Sequence, residues 1–281
     1  MITVENLQFS YTRKPFIQAM AFKVQPGEIF GFLGPSGAGK STVQKILTGL
    51  IPSYRGSVLI DGTEVRNHTG DFYEHIGVDF EFPSLYEKLS ARENLRFFAS
   101  LYRESLPLEP LLASVGLSDE ADKKVSSYSK GMKSRLNFIK SLVHEPRLLF
   151  LDEPTSGLDP SNARLVKDLI LAQKAKGHTI LLTTHNMYDA TELCDHVAFI
   201  VDGTIRALDT PRNLIMSRGA AQVTYSFLAD GREQEHTTEL GKTAGDGILQ
   251  ALISENRLLS IHSSEPTLND IFSELTGRRL Q

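Results

Sequence analysis

The chain has 281 residues, a formal net charge of −4 and a hydrophobic content of 41%, which allows a substantial core in one domain or in a main domain with an appendage. The mild negative charge gives no global electrostatic reason to expect nucleic acid as a partner. The longest apolar runs, such as residues 148–151 and 198–201, are far shorter than the roughly 20 residues of a membrane span, so we expect none.

The amino-terminal stretch MITVENLQFS lacks the basic segment and apolar core of a secretory signal. The lone Cys194 excludes an internal disulfide, so both features favour a reducing cytosol.

Imperfect alternation over residues 2–9 and 21–24 predicts antiparallel strands that end at the Pro26–Gly27 turn. Tyr11 lies in the loop between them, where its ring either stacks on an adenine or simply closes a strand.

Residues 29–33 read IFGFL, an apolar run typical of a buried parallel strand, and apolar residues at helical spacing follow from residue 43. Between them, GPSGAGKST matches the phosphate-loop pattern G-x-x-x-x-G-K-[ST]. Its glycines let backbone N–H groups surround a polyphosphate, Lys40 adds a charge near the outer phosphates, and Ser41 can hold magnesium. The alternative is a glycine-rich turn with a solvated lysine. The predicted nucleotide-binding residues of this loop are Gly34, Pro35, Ser36, Gly37, Ala38, Gly39, Lys40, Ser41 and Thr42.

Further along, turn signals and changes of periodicity predict the organisation of the main domain. Residues 57–65 predict a hairpin around an Asp61–Gly62 turn, and residues 76–80 predict a strand. Helical spacing then prevails over residues 85–145, which we interpret as a helical insertion. Strands and helices alternate over residues 148–201, with helices at 165–176 and 187–193. The predicted fold is therefore α/β, with a mainly parallel sheet covered by helices.

Beyond Pro211 the character of the sequence changes. Alternation over residues 223–227 ahead of Asp230–Gly231 predicts a hairpin, followed by a helix near residues 248–253 and a strand at 258–261. Thr267 is placed to cap a final helix that stops at Gly277. We interpret residues 218–281 as a small α+β lobe and residues 1–217 as the main domain.

Asp152 and Glu153 directly follow the apolar strand at residues 148–151. Carboxylates at the carboxyl end of a parallel strand face the crevice where ligands bind. Asp152 can therefore bind the hydrated magnesium ion while Glu153 polarises an attacking water. Together with Lys40, this pair predicts hydrolysis of a nucleoside triphosphate.

A second phosphate-binding signal lies at Ser129 to Gly131, where a hydroxyl and a glycine open a helix. One ATP has no need of two such loops from one chain. The chain therefore resembles the ATP-binding-cassette (ABC) ATPases, P-loop proteins whose two subunits pair head to tail so that each signature loop closes on the other's ATP. Here YSKGM keeps Ser129 and Gly131 of the LSGGQ-type signature but lacks its second glycine and its glutamine. The identification thus rests on the whole set of motifs.

The resemblance implies roles for the remaining motifs. Tyr11 matches the aromatic residue that stacks on adenine, LLFLDEP at residues 148–154 matches the Walker B strand with Glu153 as its glutamate, and SGLD matches the D-loop that ends at Asp159. His185 in TTH matches the histidine that senses the γ-phosphate. The implied cofactors are ATP and Mg²⁺.

Glu81 departs from the family pattern, because alignment of IGVDFEFPSLY places it where a glutamine normally contacts the metal and the attacking water. A carboxylate can accept hydrogen bonds from hydrated Mg²⁺, but it adds negative charge and cannot donate when ionised. We include Glu81 among the catalytic and metal-site residues. A shifted loop with Glu81 at the surface remains the alternative.

The segment EPTLNDIFSELTG, residues 265–277, resembles the terminal part of ATPase subunits from two-component exporters of drugs, antibiotics and polysaccharides. The resemblance implies an ATP-hydrolysing homodimer at the cytoplasmic face of the membrane, beneath separately encoded transmembrane permease subunits, with no nucleic acid as partner. The alternative is a soluble ABC-type ATPase that remodels nucleic acid or ribosomes. A P-loop kinase or GTPase explains neither the signature nor His185, and no N-K-x-D motif occurs.

Overall fold

The computed structural model describes residues 1–82, 84–218, 222–229, 231–264 and 266–277. The chain divides into two compact units, Met1–Leu208 and Asp209–Gln281. The division lies earlier than the one predicted after residue 217. It does so because the helix at Pro211–Arg218 packs against the last helix of the second unit.

The strands of the first unit are β1 (Ile2–Phe9), β2 (Ile17–Val24), β3 (Ile29–Leu33), β4 (Arg55–Ile60), β5 (Thr63–Glu64), β6 (Ile76–Asp79), β7 (Leu148–Asp152), β8 (Thr179–Thr184), β9 (His196–Val201) and β10 (Thr204–Asp209). Its helices are α1 (Lys40–Leu47), α2 (Ala91–Ala99), α3 (Leu108–Ser114), α4 (Lys130–Lys140), α5 (Pro160–Ala175) and α6 (Met187–Leu193). β10 ends at the boundary between the units.

The main sheet has the strand order β10-β9-β3-β8-β7-β6. β3 pairs in parallel with β8 and β9, and β7 pairs in parallel with β6 and β8. Every residue of β3, β7 and β8 is buried, as expected of central parallel strands whose two faces are both covered. The predicted mainly parallel sheet is confirmed, and its parallel strands bring the ends of β3, β7 and β8 to one edge.

A second sheet has the order β2-β1-β4-β5, and β1 pairs antiparallel with both β2 and β4. Its buried side chains, among them Leu7, Met20 and Val58, share one hydrophobic core with Phe30 and Phe32 of β3. The antiparallel amino-terminal strands thus confirm the predicted pattern and pack on the strand that leads into the phosphate loop.

The helical insertion leaves the main sheet after β6 and returns to it at β7, and it contains α2, α3 and α4. Ser90 begins α2 with a capping box in which its hydroxyl accepts the N–H of Glu93. The insertion starts after the carboxyl end of β6, which lies beside the carboxyl end of β7 and Asp152, and it returns to the sheet at the amino end of β7.

Two elements differ from the sequence-based expectation. α5 begins at Pro160 rather than at residue 165, because Asp159 caps it and Pro160 occupies the first helical position. β10 was not predicted, since its alternation is short and its residues are mostly half-buried. In the described part of the chain, every helix falls short of the length and apolar character that a membrane crossing demands.

The second unit contains α7 (Pro211–Arg218), β11 (Gln222–Ala229), β12 (Arg232–Glu239), α8 (Gly247–Ser254), β13 (Leu258–Ser264) and α9 (Leu268–Thr276). Its sheet has the order β12-β11-β13, and Tyr225 at its centre packs with Leu249 and Leu252 of α8. Thr267 begins α9 with a capping box, and Gly277 ends it in the left-handed conformation. Asp230 of the predicted turn and Glu265 of the terminal motif lie outside the described residues.

Candidate nucleotide-binding site

The phosphate loop joins the end of β3 to the start of α1. Gly37 and Gly39 have φ angles of 79° and 113°, which side-chain-bearing residues rarely adopt. Gly39 precedes α1 and offers no side-chain cap to the N–H groups of its first turn. These N–H groups and the helix dipole favour an anion at this end of the helix. The loop therefore has the geometry of a phosphate site.

Lys40 is 7% exposed and lies at the centre of the site. Its Nζ donates to the carbonyl of Gly34 at 2.6 Å and to that of Pro35 at 3.3 Å, and it is 3.9 Å from Oε1 of Glu153. Burial lowers the pKa of Lys40, while the negative charges of Glu153, Asp152 and Glu81 oppose that shift. The ammonium group of Lys40 is thus held between the phosphate loop and the carboxyl end of β7.

Asp152 at the end of β7 receives two hydroxyl groups on the same oxygen. Ser41 Oγ donates to Oδ1 of Asp152 at 3.4 Å, and Thr183 Oγ1 from β8 donates to that oxygen as well. Thr183 lies directly beside Asp152 in the parallel register. A serine hydroxyl next to a carboxylate supplies the hard oxygen donors that Mg²⁺ prefers, so these residues fit that ion.

Glu153 and His185 lie at the ends of adjacent strands and contact each other. His185 Nδ1 is 2.9 Å from Oε1 of Glu153, and the backbone N–H of His185 donates to Oε2 at 3.4 Å. Glu153 has a φ of 51° and donates its own N–H to the carbonyl of Thr183. A left-handed conformation in a residue with a side chain costs about 1 kcal/mol, and here it turns the carboxylate toward His185 and Lys40.

Tyr11 lies beside the phosphate-loop helix. Its hydroxyl is 3.0 Å from Oγ1 of Thr42, and its ring contacts Phe9 edge-on and Phe16 at a tilt. The residue is nevertheless 59% exposed. A ring supported on one side and open on the other suits stacking on a planar base.

Glu81 is exposed and lines a cavity of about 260 Å³ together with Asp152, Glu153, Lys130 and Asn137. The cavity therefore brings the carboxylates at the end of β7 together with residues of α4. The negative charge of Glu81 is among those that oppose the lowering of the pKa of Lys40 by burial. Its contact with a metal stays a prediction.

The signature residues form a separate cluster with the D-loop. Ser129 caps α4 by accepting the N–H of Met132 at 3.2 Å, and Gly131 lies so close to Asn162 that an added Cβ would come 3.1 Å from its amide nitrogen. Asp159 accepts the amide of Asn162 and backbone N–H groups of α5, and these hydrogen bonds lower the pKa of its carboxyl. None of the described hydrogen bonds or ion pairs of this cluster reaches Lys40.

Comparison with known proteins decides the family. A family model described as ABC transporter matches residues 17–156. The whole chain is 50% identical to the fluoroquinolones export ATP-binding protein of Mycobacterium tuberculosis (strain ATCC 25618 / H37Rv) and covers 94% of that relative. The chain belongs to the ABC transporter ATPases. It binds and hydrolyses ATP to power a transporter, so the predicted family and activity are confirmed.

Two further comparisons agree with this assignment to the ABC ATPases. The chain is 31% identical to the linearmycin resistance ATP-binding protein of Bacillus subtilis (strain 168), with 100% of both chains covered. A solved ATP-binding subunit of an ABC transporter matches the fold with a TM-score of 0.72 at 32% identity, covering 77% of this chain and 92% of that one. These relatives lend no support to the alternative of nucleic-acid or ribosome remodelling.

The structure of this ABC ATPase also shows functional contacts that sequence reasoning missed. Thr183 holds Asp152, Asn162 joins Gly131 to Asp159, and Asp189 accepts the hydroxyl of Thr155 just after the catalytic pair. Thr183 is the first residue of the TTH motif that ends at His185, so its position in that motif was a sequence signal for its role. The Gly131–Asn162 contact depends on how α4 and α5 pack, and the Thr155–Asp189 contact depends on where α6 lies.

Proposed function

We propose that two copies of this chain bind ATP between them head to tail and drive an exporter from the cytoplasmic face of the membrane. The observation that supports this proposal is that, among the described residues, no hydrogen bond or ion pair joins the signature cluster to Lys40. Lys40, Ser41 and Asp152 are joined by hydrogen bonds and charge, whereas Ser129 and Gly131 lie in another cluster. A second subunit would bring its own signature loop to the first subunit's ATP.

In this proposal each residue acts on the substrate through the contacts described above. The loop N–H groups and Lys40 bind the phosphates, and Glu153 accepts the proton of the water whose oxygen attacks the γ-phosphorus, with ADP as leaving group. His185 orients Glu153 and senses the γ-phosphate. Mg²⁺, when bound, supplies positive charge to the phosphate oxygens, and Ser41, Asp152 and Glu81 would hold it. Tyr11 stacks on the adenine, and Asp159 lines the contact between the two subunits.

The transported cargo is proposed from the relatives. The 50% identical protein of Mycobacterium tuberculosis is named for export of fluoroquinolones, and that of Bacillus subtilis for linearmycin resistance. We propose an antibiotic-type small molecule that contacts separately encoded permease subunits rather than this chain. Purification from solubilised membranes should yield a hydrophobic partner protein, and susceptibility of cells that express both proteins should report the cargo.

The decisive test of the composite site is Glu153→Gln. The substitution keeps the size of the side chain but removes the proton acceptor, so turnover should fall about 100- to 10,000-fold. ATP affinity should survive because Lys40 and the loop N–H groups are unchanged. The variant should accumulate as an ATP-bound dimer, measured by size exclusion with light scattering.

Adding Ser129→Arg to that variant provides the control. An arginine at Ser129, the residue that caps α4, places bulk where the partner's phosphate should lie, so the ATP-bound dimer should be lost. Two outcomes would contradict the head-to-tail site, even with hydrolysis abolished: a monomeric Glu153→Gln protein in ATP, or a double variant that dimerises as well as the single one.

A further inference from the structure

A buried polar network joins the helical insertion to the end of β6. Asp79, the last residue of β6, is 6% exposed, and Asn137 in the middle of α4 is 2% exposed. The Asn137 side-chain amide donates to Oδ1 of Asp79 and, at 3.3 Å, to the carbonyl of Phe80. Its oxygen accepts from Nζ of Lys140 at 2.6 Å. The amide therefore bridges a buried acid and a largely buried cation.

The network extends to a second helix of the insertion. Nζ of Lys140 lies 5.0 Å from the centre of the Phe98 ring on α2. Burial raises the pKa of Asp79 and lowers that of Lys140, and the charge of each group opposes the shift of the other. The negative charge of Asp152 also raises the pKa of Asp79. Apolar residues would often stabilise such a site as well or better, so burial alone does not account for the network.

The position of the network relates it to the ATPase site. Phe80, whose carbonyl Asn137 binds, directly precedes Glu81, and Glu81 lines the cavity that also contains Asp152 and Glu153. Asp79 is further held by the pairing of β6 with β7, the strand that ends at Asp152. The backbone just before Glu81 is thus fixed by the catalytic sheet on one side and by α4 on the other.

We infer that Asn137 is a positioning residue for ATP hydrolysis, which holds Asp79 and Phe80 so that the Glu81 carboxylate remains in the cavity lined by Asp152 and Glu153. Lys140, which donates to the oxygen of the Asn137 amide and lies over the Phe98 ring, ties the position of this segment to α2 and α4. The inference rests on the proposed role of Glu81. The hydrogen bond between Asn137 and Asp79 joins residues that are 58 positions apart in the sequence. Through this bond, the position of α4 in the insertion determines the position of the end of β6.

A double-mutant cycle between Asn137 and Glu81 tests the inference in the full-length protein. Asn137→Ala should lower kcat about 10-fold, since loss of positioning of about an ångström is costly at a reacting centre. In a Glu81→Ala background the same substitution should cost less than about twofold, because the residue it positions is gone. Hydrogen exchange of residues 79–82 should accelerate in Asn137→Ala, which is a readout independent of activity.

Asn94 provides a matched control. It is also a buried asparagine of the helical insertion with three hydrogen bonds, to the backbone N–H and carbonyl of Tyr86 and to the carbonyl of Ser90, and none of these contacts reaches β6. Asn94→Ala should lower thermal stability but keep kcat within about twofold and leave exchange at residues 79–82 unchanged. If Asn137→Ala does not fold, Asn137→Leu, which fills the volume without donating, serves in the same cycle.

The inference fails if the effects of the Asn137 and Glu81 substitutions simply multiply, or if Asn94→Ala lowers kcat and raises exchange at residues 79–82 as strongly as Asn137→Ala. Failure of the proposed function would be recognised by a different result, because Glu153→Gln would then retain normal turnover. Loss of turnover in Glu153→Gln together with an uncoupled Asn137–Glu81 cycle would therefore reject the positioning role alone.

Discussion

The two clusters that we propose to bind phosphate differ in how their side chains are held. Lys40 and Asp152 are buried, and their partners are the carbonyl of Gly34 directly after β3, the carboxylate of Glu153 directly after β7 and the hydroxyl of Thr183 in β8. Ser129 and Asp159 are exposed and bond mainly within the first turns of their own helices. The first cluster is organised by the sheet before any ligand arrives, whereas the second presents capped helix ends at a surface.

This difference separates two kinds of defect. A change in the buried cluster should damage the chemistry of the subunit's own ATP, because its groups are preorganised in a site of low dielectric. A change in the exposed cluster should leave the subunit's own phosphate loop intact and abolish turnover by preventing productive pairing with another subunit. Substitutions in each cluster can therefore test whether the buried and the exposed cluster have these different roles.

Lys40→Ala has the largest expected effect. It removes the buried cation that is held between the loop carbonyls and Glu153, so kcat/KM should fall about 100- to 1,000-fold in steady-state ATPase assays. Lys45→Ala is the matched control, since Lys45 lies on the same helix but is exposed. Normal turnover in Lys40→Ala, or an equal loss in Lys45→Ala, would place the phosphates elsewhere.

Mixing two inactive variants tests whether the clusters act in different subunits. A dimer of one Lys40→Ala subunit and one Ser129→Arg subunit contains one composite site in which the phosphate loop and the signature are both intact. An equimolar mixture should therefore recover up to about a quarter of wild-type ATPase if a two-fold dimer forms at random. If native mass spectrometry shows that subunits exchange but ATPase activity is not recovered, the two clusters do not act in different subunits.

Glu81→Gln should produce a smaller change, seen in the pH profile. Burial lowers the pKa of Lys40, and the negative charge of Glu81 is one of those that raise it. Removing that charge should lower the pKa further, so the protonated lysine should be lost at lower pH and the alkaline limb of the ATPase profile should move toward neutrality. Apparent Mg²⁺ dependence should change as well if Glu81 lies at the metal.

Glu104→Gln is the control for that experiment, because Glu104 is an exposed carboxylate of the insertion. Identical pH and Mg²⁺ profiles for Glu81→Gln and the wild type would favour the shifted-loop alternative, in which Glu81 is a surface residue. Glu81 would then not belong to the buried cluster that contains Lys40 and Asp152.

The smallest effect is expected on the back of the phosphate-loop helix. Gln44 is 0% exposed, and neither polar atom of its amide has a hydrogen-bond partner in the described part of the chain. Gln44→Leu should raise the free energy of unfolding by about 1–2 kcal/mol, because a buried unpaired amide is costly. Urea denaturation measures the change, and Gln44→Glu should act in the opposite direction. A destabilised Gln44→Leu would indicate an ordered water or other partner at the amide.

Local features could be predicted from the sequence because they depend on neighbouring residues. The phosphate loop needs glycines at Gly37 and Gly39 for its backbone angles, and Thr267 and Gly277 cap α9 through hydrogen bonds and conformations within a few residues. The parallel sheet followed from the alternation of strands and helices, because such strands need crossover helices. Family motifs then assigned Asp152, Glu153 and His185 to one edge.

Tertiary structure decided which of these residues hold one another. The partners of Asp152 and Asp79 lie on other strands or helices, and their sequence patterns do not specify the contacts. The boundary after Leu208 likewise depends on the packing of α7 against α9. Periodicity reports which face of an element is apolar, but buried polar pairs form only once the packed elements exclude water and leave each donor a specific acceptor.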